Sequence, residues 1–143
     1  GVFFGLSGIH KRAHLIRAVM EGVSYSLRDS ISILREMDIE TSEMTATGGG
    51  GRSFVWRQML ADNYHCPVKT IDNKEGPALG VAILAGVGVG LFSSVPEACD
   101  HLIHDRSMQE PIQANSDVYD KYYPLYRKLY TDLKDSFNEL ATL

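Results

Sequence analysis

Between His10 and about Met37, the apolar residues Ile16, Val19, Met20, Val23, Leu27, Ile31 and Leu34 recur at three- and four-residue steps, with Arg17, Glu21, Arg28, Asp29, Arg35 and Glu36 on the opposite side. That period belongs to one face of an α-helix, so the pattern predicts a long amphipathic helix. Gly22 inside it costs about 1 kcal/mol relative to alanine unless something packs close there. Asp38-Ile39-Glu40-Thr41 reads as the exit loop. Glu43 to Thr47 is short and threonine-rich, which predicts a strand, and Ser53 to Asp62 predicts a helix. Cys66 to Ile71 predicts a second strand, with Pro67 at its start where a missing N–H is tolerated. A helix that joins two strands implies that they run parallel.

Further along, Glu75-Gly76-Pro77-Ala78-Leu79-Gly80 runs into Val81-Ala82-Ile83-Leu84-Ala85-Gly86-Val87-Gly88-Val89-Gly90. Proline suits a first helical turn, and the small residues predict a helix buried closely against its neighbours. Ser94-Val95-Pro96-Glu97 has the spacing of a capping box, with a short helix to about Ile103 behind it. Val118, Tyr122, Leu125, Tyr126, Leu129, Leu133, Phe137 and Leu140 again fall at helical spacing. Pro124 predicts a kink or a break near Tyr123. Elements alternating in this way predict an α/β fold, and no repeat or composition shift marks an internal domain boundary.

With 143 residues, 44% of them hydrophobic, the chain has the size of one ordinary domain. Its 14 basic and 18 acidic residues give a net charge of -4, without the basic stripe that a nucleic-acid partner requires. The apolar runs are broken well short of the roughly 20 residues that cross a bilayer, and no export signal is visible. Cys66 and Cys99 have neither metal-ligand spacing nor the density of a disulfide scaffold, which predicts a reducing, cytoplasmic location. Gly1-Val2-Phe3-Phe4-Gly5 starts inside an apolar, strand-like run, so the chain is expected to be a piece of a longer protein.

Gly48, Gly49, Gly50 and Gly51 stand between the first strand and the following helix. A glycine run there lets backbone amides approach a ligand without a Cβ in the way, which points to phosphate or nucleotide. A flexible turn is the alternative on position alone. Neither standard phosphate motif fits: no lysine followed by serine or threonine closes the run, and no acidic residue stands suitably after a second strand.

Gly1-Val2-Phe3-Phe4-Gly5-Leu6 followed by His14-Leu15-Ile16-Arg17-Ala18-Val19-Met20-Glu21-Gly22 resembles the C-terminal signature of the FGGY carbohydrate kinases, in which a glycine-leucine pair precedes a helix ending in glutamate-glycine. Gly48 to Ser53 with Trp56 to Asp62 resembles the family's nucleotide loop and following helix, and Glu75 to Ala85 resembles its next helix. Pro77 and Val81 depart from the small residues usual in that block, which bears on packing. The resemblance covers about residues 1 to 105 and, more loosely, the tyrosine-rich tail; within the family, Leu84 to Phe92 and that tail look most like the xylulokinase subfamily.

The resemblance implies two actin-like, ribonuclease-H-like domains with ATP and sugar in the cleft between them. Residues 1–143 would correspond to most of the second, nucleotide-side domain, an α/β unit with a small, partly parallel sheet flanked by helices. The N-terminal sugar-binding domain would lie outside the chain. Gly48, Gly49, Gly50 and Gly51 would lie against the adenosine and α-phosphate side of ATP, and Ser53 would reach the base or ribose. The whole kinase would use ATP and Mg²⁺, with D-xylulose as substrate, and gluconate, glycerol or another polyol as alternatives. None of Asp29, Asp38, Asp62 or Asp72 stands in the family's base motif, so no catalytic residue and no metal ligand is assigned, and the chain alone is expected to be inactive. A non-catalytic nucleotide-binding module is the rival from another class.

Other residues carry simpler readings. His10 and His14, one turn apart, lack a third metal ligand, and His14 is expected to support the helix start. Glu21 is expected to make a helix-end or interdomain hydrogen bond. Trp56 is assigned to packing rather than adenine stacking. The cysteines lack an activating base. Tyr119, Tyr122, Tyr123, Tyr126 and Tyr130 form a docking stripe by spacing rather than a sugar-stacking patch, and if that stripe is left uncovered, self-association as a homodimer is expected.

Overall fold

The long amphipathic helix forms over Arg12–Glu36 (α1), in a computed structural model that describes residues 1–72 and 76–143. The residues before α1 form exposed turns instead of a strand. His14 supports the helix start as expected: its Nδ1 accepts the Lys11 N–H at 3.0 Å, satisfying a donor that a helix start leaves without an intrahelical partner. Although composition marked no internal boundary, the contacts group the chain into two compact units. One comprises residues 1–40, 62–65 and 111–143; the other comprises residues 41–61 and 66–110.

In the first unit, α1 meets a 28-residue helix, Gln113–Leu140 (α6). The expected apolar row of α1 is buried only at Ile31. Ser24, Tyr25 and Ile31 are buried, whereas Ile16, Val19, Val23, Leu27 and Leu34 are exposed. The same holds for α6, where Ser116, Tyr119 and Tyr123 are buried while Val118, Tyr122, Leu125, Phe137 and Leu140 are exposed.

The reason is an aromatic and polar seam. The Tyr25 ring lies 5.8 Å from Tyr119, 5.9 Å from Tyr123 and 5.2 Å from Tyr126, and the Arg28 guanidinium sits 4.2 Å over the Tyr123 ring. Arg28 also donates to Asn63 at 3.1 Å and to Asp120 at 2.7 Å, and Asn63 donates to the Ser24 hydroxyl at 2.7 Å. Three of the five tail tyrosines thus dock, while Tyr122 and Tyr130 stay exposed. α6 continues through Pro124 rather than stopping near Tyr123, because Tyr123 and Tyr126 anchor the turn on either side of the proline and offset its lost hydrogen bond. Glu21 accepts from Arg17 at 2.8 Å and from the Tyr119 hydroxyl at 3.2 Å.

This seam predicts alkaline sensitivity. Burial, reinforced by the Glu21 charge, pushes the Tyr119 hydroxyl from an ordinary value of 10.0 up to about 12, and burial raises Tyr25 as well. A raised folded-state value contributes stability that is complete below the unfolded value and is lost as pH rises through the folded one. Thermal melts should therefore show stability falling from about pH 10 to about pH 12, and Tyr119→Phe should shrink that fall. An unchanged alkaline limb in Tyr119→Phe would remove this residue from the account.

The second unit holds a mixed sheet in the order β1-β2-β3, built from Met44–Thr45 (β1), Val68–Ile71 (β2) and Asp105–Gln109 (β3). β1 and β2 are parallel, with Met44 opposite Val68, as a connecting helix requires. β3 pairs antiparallel to β2, with Val68 opposite Gln109 and Thr70 opposite Ser107. Sequence reading did not anticipate β3, because Asp105-Arg106-Ser107-Met108-Gln109 lacks apolar alternation. Ala61, Val68 and Ala98 are almost completely buried, and Met59, Cys66 and Ile83 nearly so.

The small-residue helix forms at Gly76–Gly88 (α4), but Val81 and Leu84 are exposed and only Ile83 and Gly86 are buried. It is therefore not the enclosed helix that its composition predicts. Glu75, part of the same block, lies outside the described residues. The capping signal holds: Ser94 accepts the Glu97 N–H at the start of Val95–Leu102 (α5). The Glu97 carboxylate takes the Ser93 N–H at 2.7 Å.

Candidate functional site

β1 leads through Ala46 and Thr47 into the glycine quartet, which forms one helical turn, Gly48–Gly51 (α2), instead of an open loop. Two glycines are required by geometry. Gly48 has φ +71°, a left-handed conformation that side chains disfavour. A Cβ on Gly51 would lie 2.7 Å from the Ala46 carbonyl oxygen and 2.9 Å from its carbon. Around Gly49, by contrast, nothing lies within 4 Å of where a Cβ would stand, and a Cβ on Gly50 would make ordinary contact with the Trp56 indole at 3.7 Å. The turn is thus docked at its end and open in its middle.

The following helix, Phe54–Tyr64 (α3), starts at Ser53, whose hydroxyl accepts the Trp56 N–H at 3.2 Å. Four residues after Ser53, buried Arg57 reaches back to the turn: its Nη1 donates to the Gly51 carbonyl at 2.7 Å, and its Nε donates to the side-chain oxygen of Gln109 on β3.

A cavity of about 500 Å³ opens beside this arrangement, within the 300–1,000 Å³ range of small-molecule sites. Its lining includes Gly48, Gly51, Arg52 and Arg57, with Thr70 and Asp72 at the carboxyl end of β2 and Arg106 on β3. The carboxyl ends of parallel strands are where open α/β sheets take ligands. Three arginines and one aspartate among the lining residues give a balance that favours an anion, and arginine's planar fork suits phosphate oxygens. Lys69 adds nothing to that charge, since Glu43 at 2.6 Å and Asp105 at 3.4 Å engage it; the hydrogen bond it donates to Glu43 is the largest effect raising its pKa.

Of the residues expected at a nucleotide site, Gly48 and Gly51 line this cavity. Gly49 and Gly50 belong to the same turn but not to the lining, and Ser53 is engaged as a cap. Arg57, Arg106 and Gln109 were missed. Arg57 lies inside a predicted helix, and its partner stands on the strand that polar composition hid. Among the described residues, no three His, Cys, Asp or Glu side chains gather as a metal cradle, and no helix is long and apolar enough to cross a membrane. Asp62 is structural here: its carboxylate accepts the Ile112 N–H at 2.7 Å and the Asn115 amide at 2.8 Å.

A family model described as the FGGY family of carbohydrate kinases, C-terminal domain, matches residues 1–89. A xylulose kinase of Staphylococcus epidermidis is 38% identical over 143 residues, which is 100% of this chain and 29% of that protein. A gluconokinase of Bacillus licheniformis is 36% identical, over 99% of this chain and 28% of its own length. Among solved structures, a xylulose kinase from Rhodospirillum rubrum superposes with a TM-score of 0.85 at 33% identity, covering 96% of this chain and 28% of that one. The chain therefore spans less than a third of the length of the proteins it matches.

Proposed function

Because the chain belongs to the FGGY family of carbohydrate kinases, through its C-terminal domain, we propose that it is the nucleotide-side domain of an ATP-dependent sugar kinase converting D-xylulose to D-xylulose 5-phosphate in the cytoplasm. The whole enzyme would contain an N-terminal domain carrying the sugar contacts and the general base. The observation that carries the nucleotide role is the glycine turn at the carboxyl end of β1, beside a cavity rimmed by three arginines. ATP would supply the phosphoryl group. Gly48 to Gly51 would meet its adenosine and α-phosphate end, the open middle of the turn letting the ligand approach the backbone, and the arginines would favour its negative charge.

Phosphoryl transfer from ATP requires Mg²⁺, which the whole enzyme would bind; no residue of this chain is assigned to it. D-xylulose is favoured by the identity to xylulose kinases. Gluconate is the second reading, because a gluconokinase is nearly as similar.

The test is Gly49→Val in the whole enzyme. Space is open around that position, so the fold should accept the side chain. The KM for ATP should rise at least tenfold, while the KM for sugar stays within twofold. Equal changes in both constants, or none, would count against the turn as the nucleotide contact. The sugar is identified by ADP release on a panel of D-xylulose, gluconate, glycerol, ribulose and rhamnulose; release with D-xylulose alone is the expected result, and silence on every sugar would favour a non-catalytic module.

A further inference from the structure

Arg57 is a buried cation with an unusual set of partners. Its guanidinium donates in two directions to neutral acceptors, the Gly51 carbonyl and the Gln109 side-chain oxygen, and no carboxylate pairs with it among the described residues. A buried charge tolerates neutral acceptors only when they are well oriented. Gln109 is oriented in turn: its own amide donates to the Met108 carbonyl at 3.0 Å, which leaves its oxygen directed at Arg57. Gln109 also stands opposite Val68 in the sheet, one of the most buried residues of the unit. The last carbonyl of the glycine turn is thus tied, through one side chain, to a fixed point of the sheet.

We infer that Arg57 and Gln109 form a positioning pair that sets the glycine turn for nucleotide and thereby controls affinity for ATP without touching the sugar side. The inference rests on the glycine turn being the nucleotide contact. Gly51 is already pressed onto the Ala46 carbonyl, so the turn has one docked face. Arg57 supplies the second constraint by engaging the Gly51 carbonyl, and a loss of that tie would let the turn rotate about its docked end. Lysine cannot reproduce the arrangement, because a single ammonium lacks the forked donors that reach Gly51 and Gln109 together.

The experiment uses the whole enzyme with Arg57→Lys, Gln109→Leu and Gln109→Glu, and Gly49→Val as the reference variant. Arg57→Lys and Gln109→Leu should each raise the KM for ATP and the Kd for ADP about tenfold, equivalent to about 1.4 kcal/mol, with the KM for sugar within twofold. Gln109→Glu keeps an acceptor of similar reach, adds charge pairing, and should hold both nucleotide constants within twofold of the unmodified enzyme. ADP titration of the folded protein, checked by thermal melting, separates this effect from unfolding. The pairing is overturned if Gln109→Leu leaves ADP affinity unchanged, if Gln109→Glu weakens it as much as leucine does, or if the sugar and ATP constants move together. Nucleotide loss in Gly49→Val with none in Arg57→Lys would discard the pair and keep the glycine turn. No loss in either would remove both.

Discussion

Gly51→Ala should destabilise the second unit by about 3 kcal/mol, the upper part of the range for an overpacked core position. The added methyl would meet the Ala46 carbonyl oxygen at 2.7 Å and its carbon at 2.9 Å. These are backbone atoms, so no rotamer change relieves the contact. Either Ala46 moves, which disturbs its N–H bond to the Lys69 carbonyl at 2.8 Å, or the turn lifts away and loses the Arg57 bond to Gly51. The companion change two positions earlier has the opposite sign. Gly49→Ala fills open space in a helical turn and should stabilise by about 0.5 to 1 kcal/mol through reduced backbone freedom in the unfolded chain. Urea denaturation of the two variants should place them roughly 4 kcal/mol apart. Matching midpoints would show that the turn is not docked on Ala46.

The second large effect is expected at Asp62. Its carboxylate accepts from the Ile112 N–H and the Asn115 amide, at the start of α6, where Ile112 stands as N-cap without a side chain able to cap. The acid that caps α6 therefore comes from α3, and it offsets the partial positive charge of that helix start. Asp62→Ala should cost about 3 kcal/mol, since it leaves two donors without their charged acceptor. Asp62→Asn keeps one acceptor and should cost roughly 1 kcal/mol. Hydrogen exchange locates the effect: amides in the first turns of α6, near Ser116 and Tyr119, should lose protection first. Uniform loss over the unit, or none, would argue against a capping role.

Much of the local organisation was legible beforehand because it rests on near neighbours. The three- and four-residue period fixed the existence of α1 and α6, and Ser94 with Glu97 fixed the start of α5. The glycine quartet marked the strand-to-helix junction, whose crossover made β1 and β2 parallel. What failed had a common cause. The apolar rows on α1 and α6 named mostly exposed positions, Ile31 excepted, because the seam also draws on Tyr25 and on Ser24 and Ser116, whose polar atoms hide them from a hydrophobic count; Tyr119 and Tyr123 were legible only as part of the tyrosine stripe. β3 stayed hidden for the same reason, and with it Gln109, the residue that gives Arg57 its place.

The order of motifs determined family membership, the elements and their parallel connection, because each depends on residue type and short spacing. Tertiary structure alone decided that Gly51 is pinned while Gly49 is open, that Asp62 caps a helix some fifty positions away, and that Arg57 ties the turn to the sheet. Those are distances between groups remote in sequence, and a polar side chain reveals whether it is a surface residue or a buried partner only once the chain has brought its acceptor within hydrogen-bonding reach.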